Sequence, residues 1–119
     1  MPIEKKREAY RLGIAAESRA AWALRLKGFR IVARRFKTKA GEVDLIARRG
    51  KLILMVEVKA RRTLKDAVNS VSYTAWNRIE AAGDQWLAKQ KDYGQLSIRF
   101  DLVAVLPGKW PIHLENARY

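Results

Sequence analysis

Four charged residues interrupt two apolar runs: Glu42 and Asp44 in GEVDLIARR, and Glu57 and Lys59 in KLILMVEVKARR. A charge in a core-like strand is costly unless it is paired or bound to a metal. Two converging carboxylates make a hard oxygen site suited to Mg²⁺ or Mn²⁺. A cation held there neutralises a phosphate and lowers the pKa of a bound water. A lysine two residues after a carboxylate shares its face of the strand. From that position it can orient the attacking water or stabilise charge that develops in the transition state. Asp44, Glu57 and Lys59 therefore point to metal-assisted phosphodiester hydrolysis.

That chemistry needs the two strands in register. Val43, Leu45 and Ala47 alternate against Glu42, Asp44, Ile46 and Arg48. Leu52, Leu54, Val56 and Val58 alternate against Ile53, Met55, Glu57 and Lys59. With Arg49-Gly50 as a two-residue loop, Arg48 pairs with Lys51, Asp44 faces Met55 and Glu42 faces Glu57. Asp44 then lies diagonal to Glu57, about 7–8 Å away, within reach of one cation. A slip of one residue would carry Asp44 to the other face.

The flanking elements follow from periodicity and breakers. Residues 4–27 read as a helix without proline, with Tyr10, Ile14, Glu17, Ala21 and Leu24 on one face and Gly28 as its end. Glu17 is the one carboxylate on that apolar stripe. Phe29 to Lys37 reads as a strand, and residues 63–68 as a polar connection. Ser70 to Gln90 reads as a helix capped by Ser70 or Ser72, with Ala75, Ile79, Ala82 and Trp86 inward. Ser97 to Leu106 is a strongly apolar strand, and WPIHLENARY adds a short edge strand. The order α-β-β-β-α-β predicts an α/β fold, a mixed central sheet flanked by helices, as one domain over residues 1–119.

Composition narrows the partners. The 119 residues carry a net charge of +13, and residues 1–62 hold 18 Lys/Arg against 6 Asp/Glu. A basic half of this kind suggests a polyanion (DNA, RNA or an acidic membrane surface) or simply a generally basic protein, and the carboxylates inside it favour nucleic acid. The chain has no cysteine, which fits a reducing cytoplasm. The single histidine excludes a multi-histidine zinc site. No apolar run reaches the roughly 18 residues of a membrane span, and the N-terminus lacks the apolar core of a secretory signal.

Each candidate has a plainer reading. Glu57 and Lys59 can form an ion pair at an exposed strand end. Glu17 can lie at the helix edge, and Glu42 can be solvated or partner the lysine. Asp101 in RFDLVAVL lies two residues from Arg99, so a buried ion pair explains it as well as a supporting role at the site does. His113 reads as a tail residue, and the helical tryptophans as packing.

GEVDLIARRGKLILMVEVKARR, with GIAAESRAAWALRLKGF before it and RFDLVAVL and IHLENARY after it, resembles the YraN-like family of bacterial proteins. That family is similar to Holliday-junction resolvases, within the PD-(D/E)xK superfamily of nucleases. The resemblance covers nearly the whole chain and implies a restriction-endonuclease-like αβββαβ core. It implies Asp44, Glu57 and the Val58 carbonyl as metal ligands, Glu17 as a further acidic ligand, and Lys59 acting on the attacking water. Two positions depart from the pattern. Val43 stands where the superfamily's name has proline. Thr74-Ala75-Trp76-Asn77-Arg78-Ile79 lacks the Lys/Gln-containing stretch that related proteins tend to carry before the Arg-hydrophobic pair.

The expectation is a Mg²⁺- or Mn²⁺-dependent endonuclease acting on DNA, with branched or structured DNA as the target by analogy. Arg34, Arg35, Lys37, Lys39, Arg61 and Arg62 would contact phosphates. A homodimer would suit symmetric cutting of two strands. Two rivals stay open: a nuclease fold that grips nucleic acid without cutting it, and an adaptor whose basic surface meets an acidic protein.

Overall fold

Alanine-rich sequence without proline runs as one long helix, α1 (Ile3–Leu26), until Gly28, whose φ of 91° favours glycine. There Gly28 N–H donates to the Arg25 carbonyl and Phe29 N–H to the Leu24 carbonyl, a Schellman end. Phe29 and Leu24 are both buried in the core cluster beneath the helix, which fixes the chain's exit into the sheet. The computed structural model describes residues 3–118, leaving out the side chains of Ala9 and Tyr10. The expected inward place of Tyr10 thus lies outside the described residues.

Three antiparallel strands follow: β1 (Arg30–Lys37), β2 (Glu42–Arg49) and β3 (Leu52–Ala60). Two helices, α2 (Leu64–Asn69) and α3 (Tyr73–Ala88), cross over to β4 (Ser97–Val105), which runs parallel to β3. A three-residue strand, β5 (Ile112–Leu114), closes the edge beside β4, so the sheet order is β1-β2-β3-β4-β5. This is the expected mixed sheet flanked by helices, with the αβββαβ order in place. α1 covers one face over Leu45, Leu54, Val56 and Val103. α3 covers the other over Val43, Ile46, Met55 and Leu102.

Three local expectations change. The hairpin pairs Arg49 with Leu52, Arg48 with Ile53 and Ile46 with Met55, not Arg48 with Lys51. Its loop is Gly50-Lys51, because the residue that takes positive φ is Gly50, at 61°. The register moves by two residues, so the side chains of the paired residues, Leu45 to Arg49 and Leu52 to Val56, keep their faces. The expected connection at residues 63–68 contains α2, capped by the Thr63 hydroxyl, which accepts the Asp66 N–H. Six residues are too few to show helical periodicity in the sequence. The next helix starts at Tyr73 rather than near Ser70, with Ser72 as its cap. Trp76 and Trp86 pack inward as expected, whereas Trp22 stands exposed with the Arg25 guanidinium over its ring.

Candidate active site

The site begins where the β2–β3 ladder ends. Pairing of β2 with β3 stops at Leu45–Val56, while β2 stays paired with β1 as far as Lys37–Glu42. Val43 packs with Ile46 on the α3 side, although an even alternation would put them on opposite faces. β2 therefore turns over at Asp44 and Leu45, across from Arg35, whose φ is 48°. Upstream, the Thr38 hydroxyl accepts the N–H groups of Ala40 and Gly41. Gly41 lies so close to α3 that any Cβ there would overlap the Arg78 carbonyl. A helix backbone and a pinned loop thus hold the start of β2.

In the fork, Asp44 takes the place of a ladder partner. Its Oδ2 accepts the Val58 N–H at 2.8 Å. A strand residue's C=O projects toward the same neighbour as its N–H, so the Val58 carbonyl also points to this edge. The Glu57 carboxyl lies beside Asp44 in the lining of the same hollow. Burial, then the hydrogen bond and charge of Asp44, push Glu57 up to about 9; Lys59 offsets this in part and Glu42 adds to it. Near neutral pH, Glu57 therefore holds a proton against Asp44. A proton held between crowded carboxyl groups marks a place where a cation would serve instead. Two carboxyl groups and a carbonyl, beside open space for retained waters, suit Mg²⁺ or Mn²⁺.

These groups line a hollow of about 560 Å³ together with Glu17, Glu42, Lys59 and Arg61. Glu17, on α1, has a side chain only 14% exposed and accepts from Arg35 Nε at 2.8 Å. Among the described residues, no three acidic, histidine or cysteine side chains close on one point. Glu17 thus borders the site in the grip of Arg35, while Asp44 and Glu57 form the converging pair. Glu42 lies at the exposed rim, 3.9 Å from Lys37.

Asp101 is kept apart from the hollow. It is fully buried in β4, accepting two bonds from Arg99 at 2.9 Å, one from His113 Nε2 at 2.7 Å and one from the Asn116 N–H at 2.9 Å. Burial alone would raise Asp101, but the bonds from His113, Arg99 and Asn116 outweigh it and hold the carboxyl at about 2. His113 is no loose tail residue. Its Nδ1 lies 2.9 Å from Lys27 Nζ. An ammonium can only donate, so Nδ1 accepts and Nε2 carries the hydrogen shared with Asp101. The cluster ties β4, β5 and the end of α1 together.

Of the expected phosphate contacts, Arg61 lines the main hollow, and Arg35 and Lys37 line a smaller one beside Asp44. Arg34, Lys39 and Arg62 are exposed and line neither. The residue not foreseen is Arg78, which reaches the hollow from α3 beside Ala75 and Ile79. Its signal was available, since spacings of three and four put it on the face of two inward residues, the same anomaly that singled out Glu17.

Comparison with known proteins adds the relationship. The model of a family described as "Uncharacterised protein family UPF0102" matches residues 16–105. A UPF0102 protein of Chelativorans sp. is 61% identical over 111 residues, covering 93% of this chain and 90% of the relative. One from Mesorhizobium japonicum is 57% identical over 118 residues, covering 99% and 94%. One from Bartonella bacilliformis is 59% identical over 116 residues, covering 98% and 95%.

Proposed function

The chain belongs to the uncharacterised protein family UPF0102, the YraN-like family, and from its site we propose a metal-dependent endonuclease-like enzyme that hydrolyses phosphodiester bonds in DNA. Branched or structured DNA is the substrate class that the likeness to resolvases favours. The observation that carries the reading is that Asp44, bonded to the Val58 N–H, and Glu57 line one hollow with the cationic Lys59, Arg61 and Arg78.

Asp44, Glu57 and the Val58 carbonyl would hold Mg²⁺ or Mn²⁺, which when bound polarises a phosphate and lowers the pKa of water. Glu57 would give up its proton to the solvent to serve as a ligand. Lys59, on the face of Glu57, donates to the attacking water or to the charge that develops on the phosphate oxygens. Arg61, after β3, and Arg78, on α3, receive the phosphates of the strand. Glu17 keeps Arg35 at the wall of the site. Two copies would serve to cut two strands symmetrically.

The test is a panel of linear, nicked, flap and four-way DNA with Mg²⁺ or Mn²⁺. The wild type is expected to cut, and Asp44→Ala and Lys59→Ala to lose on the order of 10²–10³-fold in rate. Full activity in both variants would sink the reading. A second reading, a catalytically silent DNA-binding module, draws on the apolar Ala75 in the wall of the hollow. It prevails if the wild type binds every DNA form and cuts none.

A further inference from the structure

The hollow around Asp44 and Glu57 adjoins a second groove of about 540 Å³ between α1 and the ends of β3 and β4. Leu12, Ala16, Ala60 and Arg61 line both. The remaining floor is apolar, including Ala15, Val105 and Pro107, while Arg19, Arg62 and Asp66 add polar groups. Leu12 belongs to the shared wall yet is 61% exposed.

An apolar trough fits poorly against a duplex backbone, which is charged throughout. An unpaired nucleotide fits it better, since the base has apolar faces and the flanking phosphates are anionic. Three arginines against one carboxylate match that charge, and guanidinium planes stack on free bases. An exposed leucine between two sites has the character of the apolar wedges that part base steps. A second copy of the chain is a poorer occupant, because each carries +13.

Resting on the nuclease reading, we propose that this groove receives the base of an unpaired nucleotide next to the phosphate held at Asp44 and Glu57. Leu12 is the wedge that keeps the base out of the stack, and Arg61 and Arg62 contact the flanking phosphates. The preferred substrate is then DNA with an unpaired nucleotide beside the cut bond, rather than continuous duplex.

The test uses matched duplexes with and without one unpaired nucleotide, assayed for cleavage with Mn²⁺. The wild type is expected to cut the unpaired form on the order of tenfold faster, the scale of one base-stacking contact. Leu12→Ala and Ala15→Trp change exposed positions, so folding is spared. Both are expected to abolish that preference, and Ala15→Trp, at a position that lines the groove alone, to leave cleavage of paired duplex unchanged. In the Lys59→Ala background, 2-aminopurine at the unpaired position should brighten on binding, and Ala15→Trp should prevent this. Equal cleavage of both duplexes with no change in 2-aminopurine overturns the proposal and leaves the nuclease reading standing. A dimer in solution that Ala15→Trp breaks also overturns it, since the groove is then a self-contact. Loss of all cleavage in the wild type defeats the parent reading instead, and the 2-aminopurine signal then decides the groove alone.

Discussion

Two acidic centres occupy neighbouring strands of this sheet, Asp101 beside Val56 and Glu57 beside Leu102, and they are completed in opposite ways. Asp101 receives every partner from the protein: a guanidinium, an imidazole and a backbone N–H. Asp44 and Glu57 receive one backbone N–H, a partly offsetting lysine and each other. Asp101 is held at about 2 and Glu57 pushed up to about 9. A carboxylate whose counter-charge is built in serves the fold, whereas a pair left short of positive charge is fitted to receive it from outside.

The contrast breaks most visibly at Asp101. Asp101→Ala removes the buried acceptor that Arg99 and His113 share and should cost about 3–5 kcal/mol in a urea denaturation series. Comparable stability in that variant would place the two centres in one class. Gly41→Ala comes next. It forces a side chain into the Arg78 carbonyl and should cost about 1–3 kcal/mol, with a matching loss of cleavage as the start of β2 moves from α3.

The two centres also oppose each other in pH. Glu57 is raised above its ordinary 4.5, so its contribution is complete below about 4.5 and lost as pH rises through about 9. Asp101 is lowered from 3.8, so its contribution is complete above 3.8 and lost as pH falls through about 2. Glu57→Gln should therefore gain about 1–2 kcal/mol at pH 8 and nothing at pH 4, measured by denaturation at each pH. The smallest effect is that of the cation. Mn²⁺ at ten times its dissociation constant should stabilise the wild type by about 1 kcal/mol at pH 8, and should leave Glu57→Gln with little of that gain. A thermal shift equal in both proteins would place the cation elsewhere.

Much of this contrast was legible in the chain. Period-two alternation put Asp44, Glu57 and Lys59 on otherwise apolar strands, and even a register wrong by two residues kept Glu57 and Lys59 on one face. Arg99 two residues before Asp101 pointed to a pair on one face. His113 was not legible as its second side-chain partner, because only the fold of β5 against β4 brings residues twelve apart together. The turnover of β2 at Asp44 was hidden as well. Alternation predicts an even strand, and the break arises where β2 leaves β3 and its start is pinned against α3. Arg78 stood in view on its helical face but carried no weight until the hollow gave that face a neighbour.

The hydrogen bond from Val58 to Asp44 has a further use. Most strand amides are held by another backbone, which changes little when a small ion binds. The Val58 amide is held by a side chain that would itself engage the ion, at 2.8 Å. Its NMR resonance and its exchange with solvent therefore form a built-in gauge of occupancy. Titrating Mg²⁺ while following that one peak would read the filling of the site with no substrate and no turnover.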